Sequence, residues 1–545
     1  MKVTGPTIVD ASARPKPATL VFDARIRDIG IEGQRDKVAG ARSLAGSWGQ
    51  SPFGDSPLAV IVPGLIDSHT HPLETGLQML FANLSGVASI AKVQERLRAR
   101  RQDALEHGMM LGFNLEPDRL GERRYPTRHE LDAVLPEVPV FVYRVDGHSA
   151  VTNTAGLQLI LTKYPGVKPP GMEGDCNGRP TGVLRGEAYE RASRVFKHRL
   201  GPEQVREALR LAGTEATAHG VTTIGALVGV EDTTGDEWRV LMDGLESMAV
   251  RTVPFLQTWN TEVPLRFGLK QAGGCLLIDG SFGSHTAAVS QDYADAPGNN
   301  GASYVTDEKL LSFLRTAADA GLQTAVHAIG DRAVEQVVRC HEQLSSRGPG
   351  TGGQGPGSEP RTPIPDPRPP ARCNPLRHRI EHAELLNDSL VDRIARLRLV
   401  LGVQPAFEAE WGGPGRMYAQ RLGERWRSTN PYRRLLEAGV TLAGGSDAPI
   451  TPIDPVAGIR AAMGRPNPLE TLSGEQALAM FTSAAAFSLN RERVNGSIEV
   501  GKDADFTVLT ADPRSDDDCR VVATFRSGKC IFRDDKLAGY LQLEE

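Results

Sequence analysis

"GLIDSHTHP", residues 64 to 72, carries an apolar run straight into two histidines separated by one threonine. In an extended strand, positions i and i+2 point to the same side, so His69 and His71 project together from the strand's end. Two imidazoles converging on one point suit a transition metal, while a polar strand-to-loop junction that only makes hydrogen bonds is the plainer alternative. A His-x-His pair alone does not separate the two. Further ligands have to come from elsewhere in the chain.

Outward from that stretch, β-branched runs alternate with helical spacing, the pattern of repeated βα units. Val205, Ala208, Leu209, Ala212 and Ala216 share a helical face before "VTTIGAL". "EKLLSFLRTAADAG" precedes "LQTAVHAIG", "DRAVEQVVRCHEQL" precedes "RHRIEHA", "SLVDRIARLR" precedes "LVLGVQPAF", and "PYRRLLEAG" precedes "VTLAGGSDAP". With "LIDSHTH", "VPFLQTW" and "CLLIDG", the expected strands number eight. This reads as an α/β chain forming a (β/α)8 TIM-type barrel over residues 61–491. "MMLGFNL" and "VPVFVYRVDGH" are surplus, so residues from about 77 to 200 read as an insertion over the barrel mouth. Residues 1–60 and 492–545 hold short β-rich pieces, read as one small β-domain built from both ends. Residues 345–372, dominated by Gly and Pro, read as a disordered surface insert.

A chain of 545 residues has room for such a barrel and accessory domains. Its 40% hydrophobic and 24% charged residues are ordinary for a globular protein. The net charge of -5 is spread along the chain, which argues against nucleic acid or anionic membrane as partner. The first residues show no signal-peptide core and no apolar run approaches membrane-spanning length, so a cytoplasmic protein is expected. Six cysteines (Cys176, Cys275, Cys340, Cys373, Cys519, Cys530) without a Cys-x-x-Cys pair point to reduced thiols.

Placed on the barrel scheme, His327, His382 and Asp447 close three further strands, on the same face as His69 and His71. That C-terminal face carries the active site in such barrels, and four histidines with one aspartate form a specific set of ligands for zinc or a similar divalent ion.

"VPGLIDSHTHP", "DGHSAVTNTAGL", "LIDGSFGSHTAAV", "VHAIGDRA", "RIEHAELL", "GVQPAF", "GGSDAPITPIDPVAGI" and "GSIEVGKDADFTVL" follow one another between about residues 59 and 510. Together they resemble the metal-dependent amidohydrolase superfamily, and within it the amidohydrolase 3 branch that includes N-substituted formamide deformylase-like enzymes. The resemblance implies a (β/α)8 barrel beside a small β-sandwich built from both termini, with a metal site of His69, His71, His327, His382 and Asp447. One position departs. Members commonly carry a lysine, carbamylated to bridge two metals, four residues before the Asp of "DGS", and here that residue is Cys275. Its thiolate either ligates or bridges metal, or it is a buried thiol that leaves a single-metal site.

A divalent ion with an open position lowers the pKa of its water to about 7 and polarises a carbonyl, so hydrolysis follows. Asp447 is the expected general base, passing the water's proton to a leaving nitrogen, a role the resemblance also implies; a pure ligand or a turn N-cap is the alternative. His148, in "VDGHSAVTN", is placed to hold a substrate carbonyl or oxyanion, or else to cap. His285, in "GSFGSHTAAV", stands where relatives often have arginine and is expected to face substrate. Asp331 and Arg332 read as a helix start, and Glu187 has no assigned role. The expected activity is metal-dependent hydrolysis of a non-peptide C–N bond in a small amide, N-substituted formamide or cyclic amide, with one or two divalent ions, zinc first. The alternatives are a single-metal hydrolase of an ester or other carbonyl compound, and a non-catalytic metal-stabilised binding protein. The partner is a small molecule, and the insertion and flanking β-pieces offer surfaces for a homodimer.

Overall fold

Each of the eight stretches contains a strand in the structure, a computed structural model that describes residues 2–10, 13–31, 59–165, 169–346, 374–540 and 543–544. In chain order they are β1 (Leu65–Thr70), β2 (Val221–Val228), β3 (Arg251–Leu256), β4 (Gln271–Leu277), β5 (Gln323–Ala328), β6 (Arg379–His382), β7 (Val400–Val403) and β8 (Thr441–Gly444). Every residue of β1, β2, β5, β6 and β7 is buried. Parallel strands covered on both faces favour near-continuous apolar runs, which made β2 and β7 legible; β1 and β6 bury the polar Asp67, His69, Arg379, Glu381 and His382 instead.

The strands form two parallel arcs, β3-β2-β1 and β4-β5-β6-β7-β8. The segment after β8 closes onto β1: Asp447 N donates to His69 O, and His71 N to Ala448 O, each at 2.9 Å. Among the described residues, no backbone ladder joins β3 to β4.

β4 differs from the expected "CLLIDG" by starting at Gln271. Gly273 and Gly274 lie at φ 88° and 93°, a conformation that favours glycine, and a Cβ on Gly273 would come within 2.4 Å of the Ala325 carbonyl. The register against β5 slips between Gly273 and Leu277. This irregularity directly precedes the Cys275 side chain's approach to β5.

The surplus stretches belong to a separate six-stranded sheet. Its order is Met172–Gly174, Pro180–Arg185, Ser149–Thr152, Val140–Arg144, Met110–Leu115 and Ala82–Asn83. Val140–Arg144 and Ser149–Thr152 pair as a hairpin whose tip carries Asp146, Gly147 and His148.

Both ends of the chain enter one mixed sheet, in which Val60–Pro63 pairs parallel with Lys2–Asp10 and antiparallel with Phe506–Leu509. Phe22, Phe506 and Phe525 pack there, the last two stacked at 4.5 Å. Ser345 ends the helix Asp331–Ser345. The Gly/Pro-rich stretch from 347 onward, Cys373, and residues 32–58 of the N-terminal piece lie outside the described residues. The five described cysteines are unpaired thiols, and no described helix is long and apolar enough to cross a membrane.

Candidate metal centre

His69 and His71 leave the end of β1 on one side, with ring centroids 5.5 Å apart. Asp447, in the turn after β8, brings Oδ1 to 3.0 Å from His69 Nε2 and 3.1 Å from His71 Nε2. His382 ends β6 with its ring 4.9 Å from His69 and 4.5 Å from His327 of β5. Cys275 Sγ lies 3.5 Å from His327 Nδ1. The structure thus brings all six expected donors to one place. Two triads have donor atoms within 4.8 Å of one another: His69, His71 and Asp447; and His69, Cys275 and His382.

His69 Nε2, His382 Nε2 and Asp447 Oδ1 are buried and have no hydrogen-bond partner outside this cluster. Buried polar atoms are rarely left so, and atoms about 3 Å apart suit nitrogen and oxygen ligands about 2 Å from a zinc-like ion. The donor set therefore fits a divalent metal. Protonation points the same way. Burial pushes the Cys275 thiol up, yet the surrounding His327, His382 and His69 hold it well below the usual thiol value. Burial likewise opposes Asp447 ionisation, and His69 and His71 overcome it. His71 rises to about 9 against its own burial, because Asp447 and Cys275 face it. Two anionic donors among imidazoles call for positive charge, which protons supply when metal does not.

Residues that periodicity did not single out orient these donors. Glu381 Oε2 accepts from His69 Nδ1 at 2.7 Å, Gln404 Oε1 from His382 Nδ1 at 2.8 Å, and the Gly280 carbonyl from His327 Nε2 at 3.2 Å. Each bond fixes the tautomer and leaves the other ring nitrogen for the cluster. Asp279, pushed up to about 7 by burial, accepts the backbone N–H groups of Ala288, Ile329 and Gly330, tying the loop after β4 to that after β5. The sequence signal for Glu381 was a carboxylate in a strand position directly before the ligand His382.

His148 lies over the cluster, its ring 5.3 Å from that of His327. Asp146 anchors this hairpin tip: its carboxylate accepts from Ser281 Oγ at 2.7 Å and Ser284 Oγ at 2.6 Å and pairs with Arg144 at 2.7 Å. His285 is not brought to the cluster. Its Nε2 meets Asp295 Oδ1 at 2.9 Å, and it does not line the cleft above the metal donors. The helix expected at Asp331 begins there, with Gly330 rather than Asp331 in the cap position; Asp331 accepts from Ser290 N at 2.8 Å. Glu187 is exposed and pairs with Arg191 one turn along. The cleft holds about 500 Å³, with Phe282, Phe407, Trp411 and Tyr418 on its walls. Small-molecule sites have this size, and charged side chains such as Glu116, Arg119, Arg144 and Arg421 line it beside the aromatics. Glu384, held by the Tyr418 hydroxyl and pushed up to about 7 by burial, also lines it.

Residues 59–532 match the model of the amidohydrolase family. The chain is 30% identical over 488 residues to a putative amidohydrolase, YtcJ, of Bacillus subtilis, covering 84% of each. It is 24% identical over 539 residues to an N-substituted formamide deformylase of Arthrobacter pascens, covering 93% of this chain and 92% of that one. Among solved structures, an uncharacterized metal-dependent hydrolase from Pyrococcus furiosus superposes with a TM-score of 0.67 at 25% identity, over 94% of this chain and 99% of that one.

Proposed function

The chain belongs to the amidohydrolase family, and from that premise we propose that it hydrolyses a non-peptide C–N bond in a small amide, N-substituted formamide or cyclic amide. The observation that carries this reading is the convergence of buried His69 Nε2, His382 Nε2 and Asp447 Oδ1, without a hydrogen-bond partner outside their cluster, at the floor of a cleft of small-molecule size. His69, His71, Asp447, His327 and His382, with Cys275 beside them, would hold a divalent ion of the zinc type, which would supply the Lewis acidity to acidify water and polarise the carbonyl. Asp447 takes the proton of the attacking water and delivers it to the leaving nitrogen. His148, clamped by Asp146, steadies the carbonyl oxygen from the opposite wall. The aromatic side chains of the cleft seat the substrate's apolar part. In this reading the two arcs are one barrel over residues 61–491. The stretch 77–200 stands over its mouth, and a small β-sandwich from 1–60 and 492–545 stands beside it.

The test is metal content per chain by elemental analysis together with hydrolysis of N-substituted formamides and of matched esters, the formamides being suggested by the deformylase relative. Bound metal, amide turnover and a loss of about 10²–10⁴ in kcat for Asp447→Asn are expected. Ester turnover without amide turnover favours the single-metal ester hydrolase, and a protein that never holds metal refutes both readings.

A further inference from the structure

Adjoining the cleft, and sharing Arg144, Asp146, His148, His327 and Asp447 with it, lies a chamber of about 150 Å³, bounded also by His71, Cys275 and the helix Gly186–Lys197. Tyr189, Glu190, Ser193 and Lys197 line it. They recur at three- and four-residue spacing, so one face of this helix is turned to the chamber.

Charge along this wall is paired, with one exception. Lys197 Nζ meets Glu74 Oε1 at 2.6 Å, and Arg194 Nη2 meets Glu231 Oε2 at 3.3 Å. Of the carboxylates lining the chamber, Glu74 has Lys197, Asp146 has Arg144 and Asp447 has the histidines. Glu190 alone, among the described residues, makes neither a hydrogen bond nor an ion pair, and it stands half-buried on the chamber wall. The Tyr189 hydroxyl and the Gln257 amide lie in the same chamber, also without a protein partner. A half-buried carboxylate without a protein partner, beside neighbouring polar groups that are also unspent, marks a place where a ligand can complete the bonding. Lys197, Arg194 and Arg144 each have a carboxylate of their own, so a cationic group on a ligand would pair with Glu190.

We propose that Glu190 determines specificity for a substrate whose non-reacting end carries an ammonium or amidinium group, seated in this chamber while the scissile carbonyl lies at the metal donors. A space of about 150 Å³ holds a benzene-sized group. The substrates are then small basic amides, with Tyr189 and Gln257 accepting the remaining N–H groups. This inference rests on the hydrolase reading for where the carbonyl lies.

The experiment uses the metal-loaded protein, wild type and Glu190→Gln, titrated calorimetrically with benzylammonium and with benzyl alcohol as its neutral counterpart. Wild type is expected to bind the ammonium at least about tenfold more tightly than the alcohol, the range for a hydrogen bond to a charged group, and Glu190→Gln to bind the two alike. Equal binding by wild type, no binding of either probe, or a preference that survives in Glu190→Gln overturns the proposal. Metal content and amide turnover of the same wild-type preparation report on the hydrolase reading separately, because the binding difference requires no turnover.

Discussion

Glu381→Gln separates ligand orientation from ligand identity. Glu381 Oε2 accepts from His69 Nδ1 at 2.7 Å, and the same carboxylate takes two bonds from Arg379, at 2.8 and 2.9 Å. Both residues are 1% exposed, and burial is outweighed by Arg379 and His69, which hold Glu381 down at about 2. A glutamine keeps the shape but has one oxygen: in the Oε2 place it still accepts from His69 and Arg379 Nη2 while its NH2 faces Arg379 Nε, and flipped it turns the NH2 on His69; either way the charge that holds both partners is gone. Loss of such an orienting partner costs about 10–100-fold in metal affinity, or about 1.4–2.7 kcal/mol. The metal-free protein should also lose about 3–5 kcal/mol, because Arg379 is left buried without a counter-charge. The strand opposite supplies an independent check. Gly402 of β7 faces Glu381 in the ladder, and a Cβ there would sit 2.0 Å from Glu381 Oε2. Gly402→Ala should therefore weaken metal binding in the same direction while leaving every charge in place. Competition with a chromogenic chelator measures the affinity, and urea unfolding of the metal-free protein the stability. If both variants hold metal within about twofold of wild type, Glu381 does not position His69.

Cys275→Ser is expected to lower metal content from two equivalents to one by elemental analysis, and cobalt-substituted wild type to show a thiolate charge-transfer band that the variant lacks; unchanged stoichiometry and spectrum would make Cys275 a bystander. His378 is buried, which lowers its pKa to about 4, and its Nδ1 accepts from Thr324 N at 3.1 Å. Because the folded value lies below the unfolded value of about 6.5, its contribution is full above pH 6.5 and is lost as pH falls toward 4, about 2 kcal/mol by pH 5. His378→Gln should flatten the unfolding free energy between pH 6.5 and 4.5 by that amount; parallel curves would refute it. Arg251, on β3, pairs with Asp505 and, at 2.6 Å, with Asp503 of the terminal sheet. Asp505 is 2% exposed, so Arg251→Met should destabilise the fold by about 3–5 kcal/mol in urea titration, and a loss below about 1 kcal/mol would show that the pair holds nothing together.

Apolar runs such as β2 and β7 made those strands legible, whereas the polar β6 was legible through its place after a helical segment, and polar residues at strand ends marked the ligands. His69, His327, His382 and Asp447 were all found in that way. β4 was misjudged at its start because Gly273 and Gly274 carry no hydrophobic signal, while their positive φ angles come from the close approach of Ala325 and Phe255, which only tertiary structure supplies. His285 looked equivalent to His148, each following a strand; what separates them is a neighbour, Asp295 for one and the ring of His327 for the other. Glu190 was invisible for the opposite reason. A glutamate on an amphipathic helix reads as surface, and its significance lies in the missing partner.

Local backbone preference also fails where the donors gather. His382, Ala383 and Asp447 lie at φ 72°, 47° and 55°, conformations that cost a non-glycine residue about 1–3 kcal/mol each. Hydrogen bonds across strands hold two of them there: Ala383 N donates to Ala328 O and Asp447 N to His69 O, both at 2.9 Å. The second bond joins the segment after β8 to β1, so the contact that closes the two arcs also aims the aspartate at the histidines of β1. Glycine at position 447 would relieve the backbone but delete the carboxylate. The chain keeps an aspartate in a conformation that disfavours it, with Oδ1 beside two imidazoles and without a partner outside the cluster. A purely structural turn has no reason to bear both costs, and a turn that delivers a metal ligand and base does.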